Sequence, residues 1–459
     1  MELLFERALL PTGIARDVAV HMDDDGTLRS VDAGAQPDSL SPACVLVPGL
    51  AVCGMPNLHS HAFQRGIAGT TEVAATAENS FWGWREAMYR FVARLEPADV
   101  EAIAALAYVE MLEAGYTSVA EFHYLHHQAD GRPYPDGAAM SAAVRNAANA
   151  TGMRQLLLPC LYQASGFGPL PVSGGQHRFV YETRQFLELF EQLHAQACAH
   201  GTGLHTTGVA LHSLRAVPIG ALREVIAALP AGIPIHIHIA EQRREVEECL
   251  TFSGRRPIEY LLEQIQVDQH WCLVHATHAT PTELQAIRQV GAVVGVCSTT
   301  EANLGDGCFP LDDFVGSGGR FGIGSDSQVS IDPREELRAA EYALRLLRQR
   351  RVLVCHGAQP HCGTSLYSLA SSGGAQALGL NAGRLVAGAQ ADIVVIDTNQ
   401  AQFAGIRDDA LLDAHVFAPR PGSVRDVLVA GRWVVRDGRH AQREFVMEGY
   451  RRSLARLLQ

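Results

Sequence analysis

Short apolar runs alternate with longer stretches of helical pattern through most of the chain. This alternation is typical of βα units whose strands form a parallel sheet. Eight such units can close into a (β/α)8 TIM-type barrel, an α/β fold with its functional side chains at the carboxyl ends of the strands. A doubly wound sheet is the competing fold, but it would not bring the first, fifth, sixth and eighth strand ends together. The apolar runs end near these residues: His61, Glu121, Cys160, His212, His238, His275, Cys297 and Ser325.

Both ends of the chain carry strand patterns that lie outside this repeat. Residues 18–22 and 44–47 form the N-terminal group, and residues 391–397 and 424–435 form the C-terminal group. We expect these strands to pair across the termini into one small β-sandwich domain. The predicted domains are the N-terminal part of the sandwich at 1–52, the barrel at 53–380, and the C-terminal part of the sandwich with a terminal helix at 381–459.

Composition excludes several classes of protein. The chain has 459 residues, of which 47% are hydrophobic and 19% charged, as in ordinary globular proteins. Its net charge of -12, with no basic stripe, argues against nucleic acid as a partner. We find neither a signal peptide nor an apolar run of 18 residues, so we expect no membrane association. The ten cysteines occur singly without C-x-x-C spacing, which predicts reduced thiols in a cytoplasmic protein.

The basic residues are all arginines, because the sequence contains no lysine. A Schiff base, a P-loop lysine and a carbamylated lysine that bridges two metal ions are therefore excluded. Arginine offers instead a planar fork that pairs with a carboxylate through two parallel hydrogen bonds.

Histidines at strand positions predict a metal site. His59 and His61 are two residues apart, so on a strand both point to the same face. His236 and His238 repeat this pattern in Ile-His-Ile-His-Ile; His238 is nearer the strand end, and His236 has a comparable chance of being a packed core residue. Asp326 follows another apolar run. His59, His61, His238 and Asp326 together suit one Zn²⁺ or a similar ion, held at about 2.0–2.2 Å.

Two further residues extend this site towards catalysis. Glu241 lies three residues after His238, where it can move protons without binding the metal. Its alternative role is a carboxylate at a helix N-terminus. His275 ends the sixth predicted strand and can polarise the attacking water or stabilise an oxyanion. His278, three residues later, is expected in a loop or behind the site.

The order His59-x-His61, His238-x-x-Glu241, His275 and Asp326 resembles the mononuclear deaminase branch of the amidohydrolase superfamily, over the whole chain. Longer runs resemble the formimidoylglutamate deiminases within it. One departure is Gln328, where this resemblance would place a histidine. The runs that carry the finer resemblance lie at 57–65, 80–86, 120–124, 212–217 and 298–307.

The resemblance implies a function and a set of residues. The reaction is hydrolysis of N-formimidoyl-L-glutamate to N-formyl-L-glutamate and ammonia in histidine degradation, with one zinc ion per subunit of a homodimer. Glu241, His275 and Asp326 would be catalytic. Arg85 and Arg215 would anchor the two substrate carboxylates, in an assignment that the sequence leaves open. Gln64, Tyr124 and His212 would make the remaining substrate contacts.

Two alternatives remain at this stage. Another deaminase of the same branch would act on a purine, pterin or triazine ring, and its pocket would favour aromatic and amide contacts over paired arginines. A non-enzymatic homologue would keep the barrel as an assembly scaffold, and the loss of metal ligands would be its signature.

Overall fold

In the computed structural model, the described residues are 1–36, 40–73, 81–201, 203–355, 357 and 359–458, without the side chains of Phe81, Trp82 and His200. Ser80, part of the run at 80–86, therefore lies outside the described residues. Helices cover much of this part of the chain: α1 (Phe81–Val92), α2 (Pro97–Ala114), α3 (Ala139–Thr151), α4 (Thr183–His200), α5 (Ile219–Ala228), α6 (Arg243–Ser253), α7 (Pro257–Gln264), α8 (Pro281–Val290), α9 (Ser298–Leu304), α10 (Leu311–Gly316), α11 (Pro333–Arg348), α12 (Cys362–Ala377), α13 (Leu411–Phe417) and α14 (Arg443–Leu457).

The two ends of the chain build one eight-stranded sheet. β14 pairs antiparallel with β4, so that Ile393 lies opposite Cys53 and the C-terminal strands continue the N-terminal ones. The pairing across the termini that the sequence predicts is therefore present. The boundaries after residues 52 and 380 stay predictions. In chain order the strands are β1 (Glu2–Leu10), β2 (Gly13–Met22), β3 (Leu28–Asp32), β4 (Val45–Cys53), β14 (Ile393–Ile396), β15 (Val424–Val429), β16 (Arg432–Arg436) and β17 (Arg439–His440).

The middle of the chain forms a closed parallel barrel. The first barrel strand, β5, pairs with the last, β13, and with β6, which in turn pairs with β7. The predicted TIM-type barrel is confirmed, and every predicted strand end falls within two residues of the observed one. A short extra strand, β8 (His205–Thr207), pairs with β7. The barrel strands are β5 (Met55–Ser60), β6 (Tyr116–His123), β7 (Arg154–Leu161), β9 (Val209–Ser213), β10 (Ile235–Ile239), β11 (Trp271–His275), β12 (Val293–Val296) and β13 (Arg320–Ile323).

Local sequence signals start and stop the outer helices. In α8, Thr280 accepts a hydrogen bond from the backbone N–H of Glu283 (3.3 Å), Pro281 follows the cap, and Gly291 ends the helix in the left-handed region. Among the described residues, no helix combines the length and the apolar composition needed to cross a lipid bilayer.

Candidate active site

Three histidines and an aspartate meet at the carboxyl ends of the barrel strands. His59 Nε2 lies 3.0 Å from His238 Nε2 and 3.4 Å from Asp326 Oδ1, and His61 Nε2 lies 3.4 Å from the same oxygen. All four residues are buried. The structure thus brings together the four residues that the sequence predicts as metal ligands.

The hydrogen bonds of two histidines leave lone pairs directed at this centre. His61 Nδ1 lies 2.8 Å from the carbonyl oxygen of Phe122, and His238 Nδ1 lies 3.0 Å from that of His212. Because a carbonyl only accepts, both Nδ1 atoms donate and each neutral ring presents a bare Nε2. Burial lowers the pKa of both His61 and His238, so the rings are neutral near pH 7. A buried cluster of nitrogen lone pairs beside a carboxylate fits a divalent cation such as zinc.

Asp326 is placed by a close approach between β13 and β5. Its backbone N–H donates to the carbonyl oxygen of His59 (3.0 Å), and its own carbonyl accepts from His61 N–H (3.0 Å). Gly324 allows this approach, since a Cβ atom there would lie 2.8 Å from His59 Cβ. Burial would raise the pKa of Asp326, but the hydrogen bond to His59 and the neighbouring imidazoles outweigh it and hold this pKa below its usual range.

His275 stands between three carboxyl groups. Its Nε2 lies 3.8 Å from Asp326 Oδ2 and 3.9 Å from Glu241 Oε1, and its Nδ1 lies 3.2 Å from Glu301 Oε1. Burial alone would lower the pKa of His275, but Glu241 and the other two carboxylates raise it to about 10. Burial raises the pKa of Glu241 to about 7 against the opposing effect of His275. The three predicted catalytic residues, Glu241, His275 and Asp326, therefore lie next to one another, with His275 within 4 Å of both carboxylates.

A buried carboxylate holds the turn that carries Glu241. Glu245 Oε1 accepts from the backbone N–H of Ala240 (3.1 Å), and Oε2 accepts from that of Glu241 (3.0 Å). Ala240 lies in the left-handed region with φ +50°, a conformation that alanine rarely adopts. Glu245 is not among the predicted site residues, although a glutamate in the first turn of a helix after a strand-end motif is a visible signal.

A pocket opens over the predicted metal ligands. All five predicted substrate residues line its wall: Gln64, Arg85, Tyr124, His212 and Arg215. Gln64 Nε2 donates to the hydroxyl of Tyr124 (2.8 Å). The pocket is also lined by residues that are not among the predicted site residues: Trp84, Met88, Tyr89, Tyr162, Phe179, Thr300, Leu304 and Ser327. Of these, Tyr162 follows directly on β7, so its position at a strand end was an available signal.

The structure also shows the contacts of three residues whose roles the sequence leaves open. His236 Nε2 lies 2.9 Å from the carbonyl oxygen of Ala377, which makes it a packed core residue. His278 lies in the loop after β11, and its backbone N–H donates to the carbonyl of Ala240 (3.1 Å). Gln328 is buried, and its Nε2 donates to Ser60 Oγ (3.0 Å) and to the carbonyl of Asp326 (2.9 Å). It thus braces the backbone beside two of the predicted metal ligands.

Comparison with known proteins identifies the family to which this chain belongs. The profile of the amidohydrolase family matches residues 45–434. A formimidoylglutamate deiminase from Pseudomonas aeruginosa is 50% identical over 453 residues, 99% of this chain and 98% of the relative. A 5-methylthioadenosine/S-adenosylhomocysteine deaminase from Natronomonas pharaonis is 28% identical over 401 residues, 86% of this chain and 82% of the relative. The crystal structure of an amidohydrolase from Brucella melitensis has 40% identity and a TM-score of 0.93, with 100% of both chains covered. The chain is therefore a hydrolase of the amidohydrolase family, and within that family it belongs with the formimidoylglutamate deiminases.

Proposed function

We propose that this enzyme hydrolyses N-formimidoyl-L-glutamate to N-formyl-L-glutamate and ammonia, a step of histidine degradation. The observation that carries the proposal is a pocket in which Arg85 and Arg215 share one cavity with the metal-ligand cluster. A substrate with two carboxylates and an amidine-like group needs cationic forks at one end and hydrolytic chemistry at the other. The 50% identity to a formimidoylglutamate deiminase, over nearly the whole length of both chains, supports the same substrate.

His59, His61, His238 and Asp326 would hold one zinc ion per subunit. When bound, the ion would act as a Lewis acid that lowers the pKa of a water molecule and makes hydroxide available near neutral pH. The donor set supports zinc, because imidazole nitrogen and carboxylate oxygen are both common zinc ligands.

The side chains around this centre divide the proton transfers between them. Asp326 accepts a proton from the attacking water, and His275, with Nε2 3.8 Å from Asp326 Oδ2, stabilises the charge that develops. The oxygen adds to the formimidoyl carbon. Glu241 gives a proton to the terminal nitrogen. The remaining O–H proton passes to the same nitrogen as its bond to carbon breaks, so that ammonia leaves and the formyl C=O forms. The proton taken up by Asp326 then restores Glu241. A proton delivered to the other nitrogen would instead release glutamate and formamide.

The test is an assay of the purified protein with N-formimidoyl-L-glutamate, in which ammonia is quantified and the products are identified by NMR. We expect one ammonia and one N-formylglutamate per substrate consumed, together with about one zinc ion per chain by elemental mass spectrometry. 5-Methylthioadenosine and guanine serve as competing substrates. Deamination of either purine in place of formimidoylglutamate, or release of formamide, would contradict the proposal. The predicted homodimer and cytoplasmic location stay predictions.

A further inference from the structure

Tyr162 is a pocket residue to which the reaction above assigns no role. Its side chain is buried and lines the cavity with Arg85 and Arg215. Its ring contacts His212 edge-on, with 4.7 Å between the ring centroids. The phenol is also close enough to affect the pKa of Arg215. Tyr162 therefore belongs to the part of the pocket where the two arginines would meet the substrate carboxylates.

The hydrogen bonds of Gln176 fix the direction of the Tyr162 hydroxyl. Gln176 Oε1 accepts from the backbone N–H of Ser173 (3.0 Å), and because a backbone N–H only donates, the amide orientation is determined. Gln176 Nε2 then faces Tyr162 and donates to its oxygen (2.6 Å). Tyr162 is the acceptor in this bond, and the Tyr89 hydroxyl in the same pocket also donates towards it. The proton of Tyr162 therefore points away from both donors and can be donated within the cavity.

The segment that carries Gln176 is tied to the helix that carries Arg85. The buried guanidinium of Arg178 donates to the carbonyl oxygens of Val92, the last residue of α1, and Leu95 (2.8 Å for the latter), as well as His127 (2.8 Å). These hydrogen bonds fix the position of the segment that carries Gln176 relative to α1. A donor fixed in advance binds its acceptor at a lower entropic cost.

We propose that Tyr162 is a specificity-determining residue whose hydroxyl donates a hydrogen bond to one of the two substrate carboxylates, with Gln176 as its positioning residue. This inference rests on the proposed function and extends it, since it names a third donor for the dicarboxylate. A neutral donor beside the arginines stabilises a carboxylate only where that carboxylate can accept its hydrogen bond. Substrates that lack this carboxylate should therefore bind more weakly.

The experiment compares Tyr162→Phe with Tyr181→Phe as matched control. Tyr181 lies near the same segment, but its hydroxyl points to the carbonyl of Gly137 (3.4 Å) and does not line the cavity. The substrates are N-formimidoyl-L-glutamate, N-formimidoylglycine, which lacks the side-chain carboxylate, and 4-formimidoylaminobutyrate, which lacks the α-carboxylate. For the full substrate we expect Tyr162→Phe to lower kcat/KM about 10- to 100-fold, mainly through KM. For the truncated substrate that lacks the carboxylate bound by Tyr162, wild type and Tyr162→Phe should have similar kcat/KM values.

A second variant tests the direction of the hydroxyl. In Gln176→Glu the carboxylate would accept the Tyr162 proton, so this variant should show a loss similar to that of Tyr162→Phe. Equal losses on all three substrates, or no loss on the full substrate, would overturn the inference while leaving the proposed function intact.

Binding of glutarate, measured by calorimetry, separates the two proposals. If the wild type releases no ammonia from formimidoylglutamate, yet binds glutarate at least tenfold more tightly than Tyr162→Phe, the proposed function fails and the carboxylate donor stands. Equal glutarate affinities for wild type and variant would reject the donor.

Discussion

At the scale of single residues, strained backbone occurs at three positions where the chemistry would take place. Ala240, His275 and Asp326 all have positive φ values, of +50°, +70° and +46°. None is a glycine, so each conformation costs free energy and persists only because the surroundings enforce it. The three residues follow or end three different barrel strands and surround one pocket. Hydrogen bonds from neighbouring elements therefore stabilise a geometry that the residues would not adopt alone.

Glu241→Gln tests the proton transfer to the leaving nitrogen. The amide keeps the size of the side chain but has no acidic proton, so ammonia release should fall about 10²- to 10⁴-fold. The metal content should be unchanged, since Glu241 is not among the proposed ligands. Glu248→Gln is the control, because Glu248 forms an exposed pair with Arg244 on the outer face of α6. Near-normal turnover by Glu241→Gln, measured as ammonia released per chain, would remove Glu241 from the mechanism.

At the scale of elements, strand ends are the part of the site that the sequence predicts well. His59 and His61 follow the two-residue period of a strand, so local pattern alone places both on one face. Gln176 and Arg178 are different, because their roles depend on the path of a long loop that carries no periodic signal. Glu301 is intermediate: it lies in the run at 298–307 that carries the resemblance, but its contact with His275 depends on how α9 lies against β11.

Helix α6 acts on the site through Glu245 in its first turn. In Glu245→Ala two buried backbone N–H groups lose their acceptor, and the left-handed turn at Ala240 loses its support. We expect kcat to fall at least about tenfold, because Glu241 is displaced. KM should rise as well, since the Glu245 carboxylate also interacts with the Arg215 guanidinium. Glu245→Gln keeps one acceptor oxygen and should recover part of the activity. A rise in KM at constant kcat, from initial rates over a range of substrate concentrations, would show that Glu245 supports binding instead.

At the scale of the whole molecule, a buried ion pair joins the barrel to the terminal sheet. Arg154 on β7 donates to both oxygens of Asp392, at 2.8 and 3.0 Å, and both side chains are nearly inaccessible. The sequence gives no sign of this contact, because 238 residues separate the partners. The sequence pattern predicts β2, β4, β14, β15 and β16 of the terminal sheet but not β1, β3 or β17. The residues that attach the sheet to the barrel are visible only in the fold.

Arg154→Met should weaken this connection strongly. The substitution leaves the Asp392 carboxylate buried without its cation, which typically costs about 3–5 kcal/mol in the free energy of unfolding. Arg184→Met is the matched control, since Arg184 forms an exposed pair with Glu188 on α4 that contributes little. Denaturant unfolding followed by circular dichroism measures both variants. Equal midpoints for the two would show that the pair does not stabilise the contact between sheet and barrel.

A buried histidine far from the pocket should make stability depend on pH. His415 on α13 is buried, and burial together with the nearby Arg334 lowers its pKa to about 3, against a smaller opposing effect of Asp332. Above pH 6.5 the ring is neutral in both the folded and the unfolded state. Below pH 6.5 the unfolded state binds a proton that the folded state does not. The free energy of unfolding therefore decreases by about 1.4 kcal/mol for each unit by which the pH is lowered.

The loss from this group between pH 6.5 and pH 5 is therefore about 2 kcal/mol. His415→Gln removes the titrating group, so the unfolding midpoint of the wild type should fall relative to that of the variant as the pH is lowered from 7 to 5. His270→Gln, at an exposed imidazole, controls for histidine loss in general. Comparing each variant with the wild type at the same pH cancels the contribution of metal binding, which all three proteins share. Parallel pH profiles for wild type and His415→Gln would mean that the folded protein accommodates the proton at His415.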